Sequence, residues 1–112
     1  MKRVYLDYAS TTPVRKEVIK VMLPYFDKKF GNPSALYKEG RLAKNAIESA
    51  RNDIANLLKI NPSEIIFTNG GTESINLALF GIANFYRSQF SHPEIIISEI
   101  EHPAVLESAK KL

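Results

Sequence analysis

Two short apolar runs, Glu64-Ile65-Ile66-Phe67-Thr68 and Glu94-Ile95-Ile96-Ile97-Ser98, constrain what this chain can fold into more than any other feature. Each is rich in β-branched residues, continuous rather than alternating, and bounded by turn-forming residues, the pattern of a strand buried on both faces. Between them, Ile75, Leu77, Ala78, Leu79, Ile82, Ala83 and Phe85 predict an amphipathic helix over residues 72–87. Helices between buried strands imply a parallel sheet covered on both sides, so the expected fold class is α/β.

The flanking sequence fits that plan. Val14, Val18, Val21, Met22 and Tyr25 recur at intervals of three and four and predict one buried helical stripe, with Thr12 as cap and Pro13 in the first helical position. Pro24 is expected to kink or end that helix, because it lacks the N–H that would bond one turn back. Phe30-Gly31-Asn32-Pro33-Ser34 reads as a loop, with Ser34 placed to cap a long helix over residues 35–58. The buried face of that helix is expected to hold Leu36, Ala43, Ala46, Ile47, Ala50, Ile54, Leu57 and Leu58. Asn61-Pro62 ends it. Pro103 opens a last helix whose apolar spacing runs to Leu112, as though the chain stopped inside an element.

Composition removes several functions. No cysteine is present among the 112 residues, so the chain offers no disulfide, thiolate metal site or thiol nucleophile. The net charge of +3 divides into +5 over residues 1–56 and −2 over residues 57–112, and no basic run exceeds two residues. Such a distribution reads as solvated helix faces rather than a nucleic-acid surface. No apolar run approaches the length of a membrane span, and Met1-Lys2-Arg3 leads into no signal-peptide core. A soluble, cytoplasmic protein is therefore expected.

Chemistry concentrates at two junctions. In Thr68-Asn69-Gly70-Gly71-Thr72-Glu73-Ser74 a strand runs through a glycine pair into a helix, which aims backbone N–H groups and the positive end of a helix dipole at one point. Neither Gly-x-Gly-x-x-Gly nor a P-loop lysine is present, so a single phosphate is the indicated anion. The alternative is a tight turn with Thr72 as helix cap. His102 stands at the end of the other strand, where open parallel sheets place ligand residues, although a lone loop histidine is more often only surface. His92 is the weaker histidine candidate. Glu99 and Glu101 fall on one side of an extended segment, where they would serve as an acid–base pair or only as a solvated strand end. No metal site is indicated.

The order of motifs adds to this. Tyr5-Leu6-Asp7-Tyr8-Ala9-Ser10-Thr11-Thr12-Pro13, then Phe30-Gly31-Asn32-Pro33-Ser34, then Phe67-Thr68-Asn69-Gly70-Gly71-Thr72-Glu73-Ser74-Ile75-Asn76, then Glu101-His102-Pro103-Ala104-Val105 closely resemble the N-terminal part of the class V aminotransferase family. Within it the chain is most similar to cysteine desulfurases of the iron–sulfur cluster and nitrogen-fixation type. The resemblance implies a homodimeric, fold-type-I enzyme holding pyridoxal 5'-phosphate (PLP), which converts cysteine to alanine and passes the sulfur to an enzyme cysteine, then to an acceptor or scaffold protein. It assigns Gly71 and Thr72 to the cofactor phosphate and His102 to stacking on the cofactor ring and to proton movement. Ala9 to Thr12 and Gly31 to Ser34 are implied as pocket lining, residues 1–33 as arm and helix of the small domain, and residues 34–112 as the start of the large, PLP-binding domain. Tyr37 departs from the histidine frequent at that place.

The resemblance also implies groups that this sequence does not hold: a cofactor-anchoring lysine in Ser-x-His-Lys, an aspartate at the pyridinium nitrogen, a glutamine over the phenolic oxygen, and an acceptor cysteine. The chain is accordingly expected to be an N-terminal fragment of the enzyme and inactive alone, its parallel sheet incomplete. Two rival readings are a related family enzyme, such as a selenocysteine lyase or small-substrate aminotransferase, and a non-catalytic short chain that pairs with another subunit.

Overall fold

A computed structural model describes residues 3–112, so the lysine of the Lys2-Arg3 pair lies outside the described residues. They divide into two units, with the boundary between Ile65 and Ile66.

In the first unit, α1 spans Lys16–Met22 and passes directly into a 3₁₀ turn over Leu23–Phe26. Pro24 sits in the first turn of that 3₁₀ segment, where no N–H is required, so the expected break at Pro24 is present. The helix start differs from expectation. Arg15, in extended conformation, is the N-cap, and neither Thr12 nor Pro13 belongs to the helix. Tyr5 explains part of this: its hydroxyl donates to the carbonyls of Asp7 (2.8 Å) and Thr11 (3.2 Å), which holds residues 7–11 in a turn.

The long helix α2 spans Lys38–Leu58, three residues later than expected, with Tyr37 as an N-cap that makes no side-chain bond. Ser34 does not cap it. Its N–H instead donates to Asn32 Oδ1 at 2.9 Å, and Ala35 N–H to the Asn32 carbonyl at 2.9 Å, so the Asn-Pro-Ser segment closes as a turn of its own. At the other end Lys59 takes the left-handed conformation (φ 57°), with Lys59 N–H on the Asn56 carbonyl and Ile60 N–H on the Ala55 carbonyl, a Schellman motif. Asn61 and Glu64 then form a reciprocal capping box around the 3₁₀ turn Pro62–Glu64. Arg51 bridges back, pairing with Glu48 at 3.1 Å and donating to the Ile65 carbonyl.

In the second unit, α3 spans Gly71–Arg87 and α4 spans Pro103–Lys110, and these two helices pack on each other. Lys111 is the C-cap of α4, so the helix closes before Leu112 rather than running to it.

Neither expected strand forms a ladder among the described residues. Ile65 is extended (φ −96°, ψ 126°), yet a β-strand exists only through ladder hydrogen bonds to a neighbouring strand, and neither apolar run takes part in a ladder among the described residues. Ile96, at 94% exposure, shows the consequence. The expected buried stripes are likewise open: Val14, Val21, Leu57 and Leu58 are all exposed, while the fully buried position of α2 is Ala55, with Gly40 also buried. Accessible surface totals 10153 Å², against roughly 7500 Å² for two separate compact bodies of these sizes. The sequence carries apolar faces designed to be covered, and the described residues cover few of them.

Candidate functional site

The second unit contains all three residues expected at the site. Gly70 is the N-cap of α3, at φ 157° and ψ −178°, a backbone region that side-chain-bearing residues rarely enter. Its carbonyl accepts Ser74 N–H at 3.1 Å and starts the helical ladder. The N–H groups of Gly71, Thr72 and Glu73 are thus first-turn donors with no partner among the described residues, and no side chain caps them. A Cβ placed on Gly70 or Gly71 would meet nothing within 4 Å, so the approach to these amides is open.

Thr72 is the second residue of α3, not its cap, and its hydroxyl has no partner among the described residues. That corrects the alternative in which Thr72 caps a plain turn. The neighbouring Glu73 carboxylate folds back to accept from Asn69 N–H (2.7 Å) and Asn69 Nδ2 (3.0 Å). Three aligned amides, one free hydroxyl and the positive end of a 17-residue helix make a donor set suited to a phosphate monoester.

His102 is the N-cap of α4, its Nδ1 accepting from Ala104 N–H at 3.1 Å, with Pro103 in the first helical position. A ring nitrogen that accepts carries no proton, so in this arrangement the imidazole proton sits on Nε2, at the ring's free end. The ring is exposed. The helix cap therefore fixes both tautomer and ring direction.

The other candidates lie elsewhere. Glu99 and Glu101 are exposed and make no ion pair or hydrogen bond among the described residues. His92 lines a groove of about 560 Å³ with Ile82, Tyr86, Phe90 and Ile95, and that groove includes none of Gly71, Thr72 and His102. Ala9–Thr12 and Gly31–Ser34 belong to the first unit, where the former lies in and just after the turn closed on the Asp7 carbonyl and the latter holds the Asn32 turn.

Sequence reasoning missed two residues between the helices. Asn76 donates through Nδ2 to the Thr72 carbonyl at 2.7 Å, and Ser108 Oγ lies 2.9 Å from Asn76 Oδ1 and 2.6 Å from the Ala104 carbonyl. The available signal was spacing. Asn76 falls four residues after Thr72, and Ser108 four after Ala104, on a helix face otherwise built from Val105 and Ala109.

Residues 4–112 match the family described as Aminotransferase class-V, and the chain belongs to that family. Among curated proteins, it is 53% identical over 108 residues to the cysteine desulfurase IscS of Dictyoglomus turgidum, covering 96% of this chain and 27% of that protein. The Methanosarcina thermophila cysteine desulfurase IscS is 52% identical over 105 residues, with 94% and 26% covered. Among solved structures, a NifS-like protein superposes with a TM-score of 0.87 at 39% identity, over 98% of this chain and 30% of that one. The chain thus spans about a quarter of the length of the curated relatives it matches.

Proposed function

We propose that these residues form the N-terminal portion of a PLP-dependent cysteine desulfurase, which converts cysteine to alanine and passes the sulfur onward. The observation that carries the reading is the donor set at the start of α3, three unpartnered amides and the free Thr72 hydroxyl, in a chain whose named relatives are cysteine desulfurases.

The residues present fit the cofactor. Its phosphate monoester requires several convergent donors and no opposing side chain, which Gly71, Thr72 and Glu73 N–H and the open space around both glycines provide. When bound, PLP supplies the electron sink that allows bonds at the substrate's α- and β-carbons to break. Gly71 and Thr72 bind and orient the phosphate end. His102, with Nδ1 held in the α4 cap, offers its ring face for stacking and its Nε2–H for proton movement at the substrate. The cofactor-anchoring lysine and the acceptor cysteine would come from sequence outside these 112 residues.

The same reading makes residues 1–33 part of a small domain and residues 34–112 the start of a PLP-binding, fold-type-I large domain whose further strands pair with residues 64–68 and 94–98. The exposed apolar runs support it, because later strands would cover them. A cytoplasmic homodimer that hands sulfur to an acceptor or scaffold protein, for iron–sulfur cluster assembly, completes the proposal.

The test joins residues 1–112 to the remaining sequence of the Dictyoglomus turgidum relative and compares Thr72→Val with the parent. Losing a hydroxyl bond to a charged phosphate should weaken PLP retention by about tenfold or more. Turnover at saturating PLP should fall less. Equal cofactor affinity in the two proteins would overturn the assignment.

A further inference from the structure

A chain of polar contacts runs from Thr72 to His102. Asn76 Nδ2 donates to the Thr72 carbonyl (2.7 Å), Ser108 Oγ lies on Asn76 Oδ1 (2.9 Å) and on the Ala104 carbonyl (2.6 Å), and Ala104 N–H donates to His102 Nδ1 (3.1 Å). The path begins in the turn that presents the phosphate donors and ends on the nitrogen that sets the imidazole's tautomer.

From this connection we propose that Asn76 and Ser108 are positioning residues that lock the His102 ring in register with the Gly71–Thr72 phosphate cradle. The proposal rests on the cofactor reading above and deepens it.

Helices α3 and α4 pack on each other with Ala83 buried and Ile75, Leu79, Phe80, Val105 and Leu106 half-buried, but apolar packing is non-directional and does not by itself specify a hydrogen-bonded register. A hydrogen bond of 2.9 Å is directional and weakens steeply as its distance or angle departs from the preferred geometry. Ser108 is 4% exposed, so water does not readily replace Asn76 as its partner. Its single hydroxyl hydrogen faces two acceptors, Asn76 Oδ1 on α3 and the Ala104 carbonyl on its own helix. Asn76 in turn grips the Thr72 peptide, so displacement of α4 is transmitted to the residue that carries the cradle's hydroxyl.

The experiment uses the same full-length hybrid, loaded with PLP. Ser108→Ala removes the hydroxyl's contacts at nearly constant volume and raises helix propensity, so α4 keeps its helicity, and a merely structural role would lower stability without changing the signal of bound PLP. Registration of the ring is read by the visible circular dichroism of bound PLP, and phosphate binding by its ³¹P resonance and the rate of PLP loss. We expect Ser108→Ala to reduce the visible dichroism by about twofold or more, with Ser108→Thr restoring it because the hydroxyl returns. His102→Ala should give a similar loss, and the double variant no further loss, since Ser108 acts through His102. Asn76→Asp, which cannot donate to the Thr72 carbonyl, should broaden or shift the ³¹P resonance while Asn76→Gln restores part of it. Unchanged dichroism in Ser108→Ala, or losses that add in the double variant, would overturn the positioning role while Thr72→Val still weakens PLP retention. If Thr72→Val and His102→Ala both leave PLP binding and dichroism unaltered, the cofactor reading itself fails and this inference with it.

Discussion

The hydroxyls of Thr68 and Ser74 lie 2.6 Å apart across the Gly70-Gly71 turn, and each also reaches the Gly70 carbonyl, at 3.3 and 3.2 Å. This pair ties the residues entering the turn to the first turn of α3, while Glu73 ties Asn69 to the same helix. The turn is therefore held from behind, by side chains that leave the first amides of α3 free. Replacing Ser74 with Ala should increase local opening by about 1 kcal/mol. Hydrogen exchange at the Ser74 amide, which is bonded to the Gly70 carbonyl, reads this directly, and exchange as slow as in the parent would show that the hydroxyl pair does not brace the turn.

Two glycines should respond in opposite directions to the same change. Gly40 is buried, and a Cβ there would meet the backbone carbonyls of Ala35 and Asn32, the latter at 2.6 Å, with no flexible side chain to yield. Gly40→Ala should cost about 1–3 kcal/mol. Gly81 lies inside α3 with open space where its Cβ would stand, so Gly81→Ala should gain about 0.5–1 kcal/mol from helix propensity. Unfolding monitored by far-ultraviolet circular dichroism distinguishes them, and a shared sign would contradict the packing at Gly40.

Helix positions were legible in the sequence because periodicity and punctuation are local. Pro24, Asn61-Pro62 and Pro103 each mark a boundary that the structure contains. Starts were read less well. Thr12 and Ser34 have the chemistry of caps, but the Tyr5 hydroxyl and the Asn32 turn engage their neighbourhoods first. The strands and buried stripes depend on partners distant in sequence, and apolar pattern alone says that a face is to be covered without saying by what. Gly71, Thr72 and His102 were visible as residue types at element junctions. Ser108 and Asn76 were not, because a single serine or asparagine inside a helix acquires its role only when a second helix comes beside it.

Lys59 is the described non-glycine residue with a left-handed backbone, at the Schellman end of α2. An L-residue there bears a steric cost of roughly 1 kcal/mol. Lys59→Gly removes that cost but gives the unfolded chain more freedom, which leaves a net gain of about 0.5 kcal/mol. A higher denaturation midpoint at unchanged helix content is the expected result. A lower midpoint would indicate that Lys59 contributes a contact outweighing the strain.

Glu107 is held below the usual carboxylate range, first by the hydrogen bond from Lys110 at 2.6 Å, then by the charges of Lys110 and Lys111, against a small opposing effect of desolvation. A carboxylate lowered in the folded state favours folding above its ordinary range, and that contribution disappears as the pH falls through the lowered value. The pair is solvent-exposed on the last turns of α4, so salt should weaken it. Carboxyl carbon NMR should find Glu107 titrating below the ordinary carboxylate range, and Lys110→Met should move it upward. Added salt should shift it the same way. A Glu107 titration that ignores both Lys110→Met and salt would mean that the ion pair is not formed in solution, and that the last turn of α4 is held by Lys111 N–H on the Ser108 and Ala109 carbonyls without help from charge.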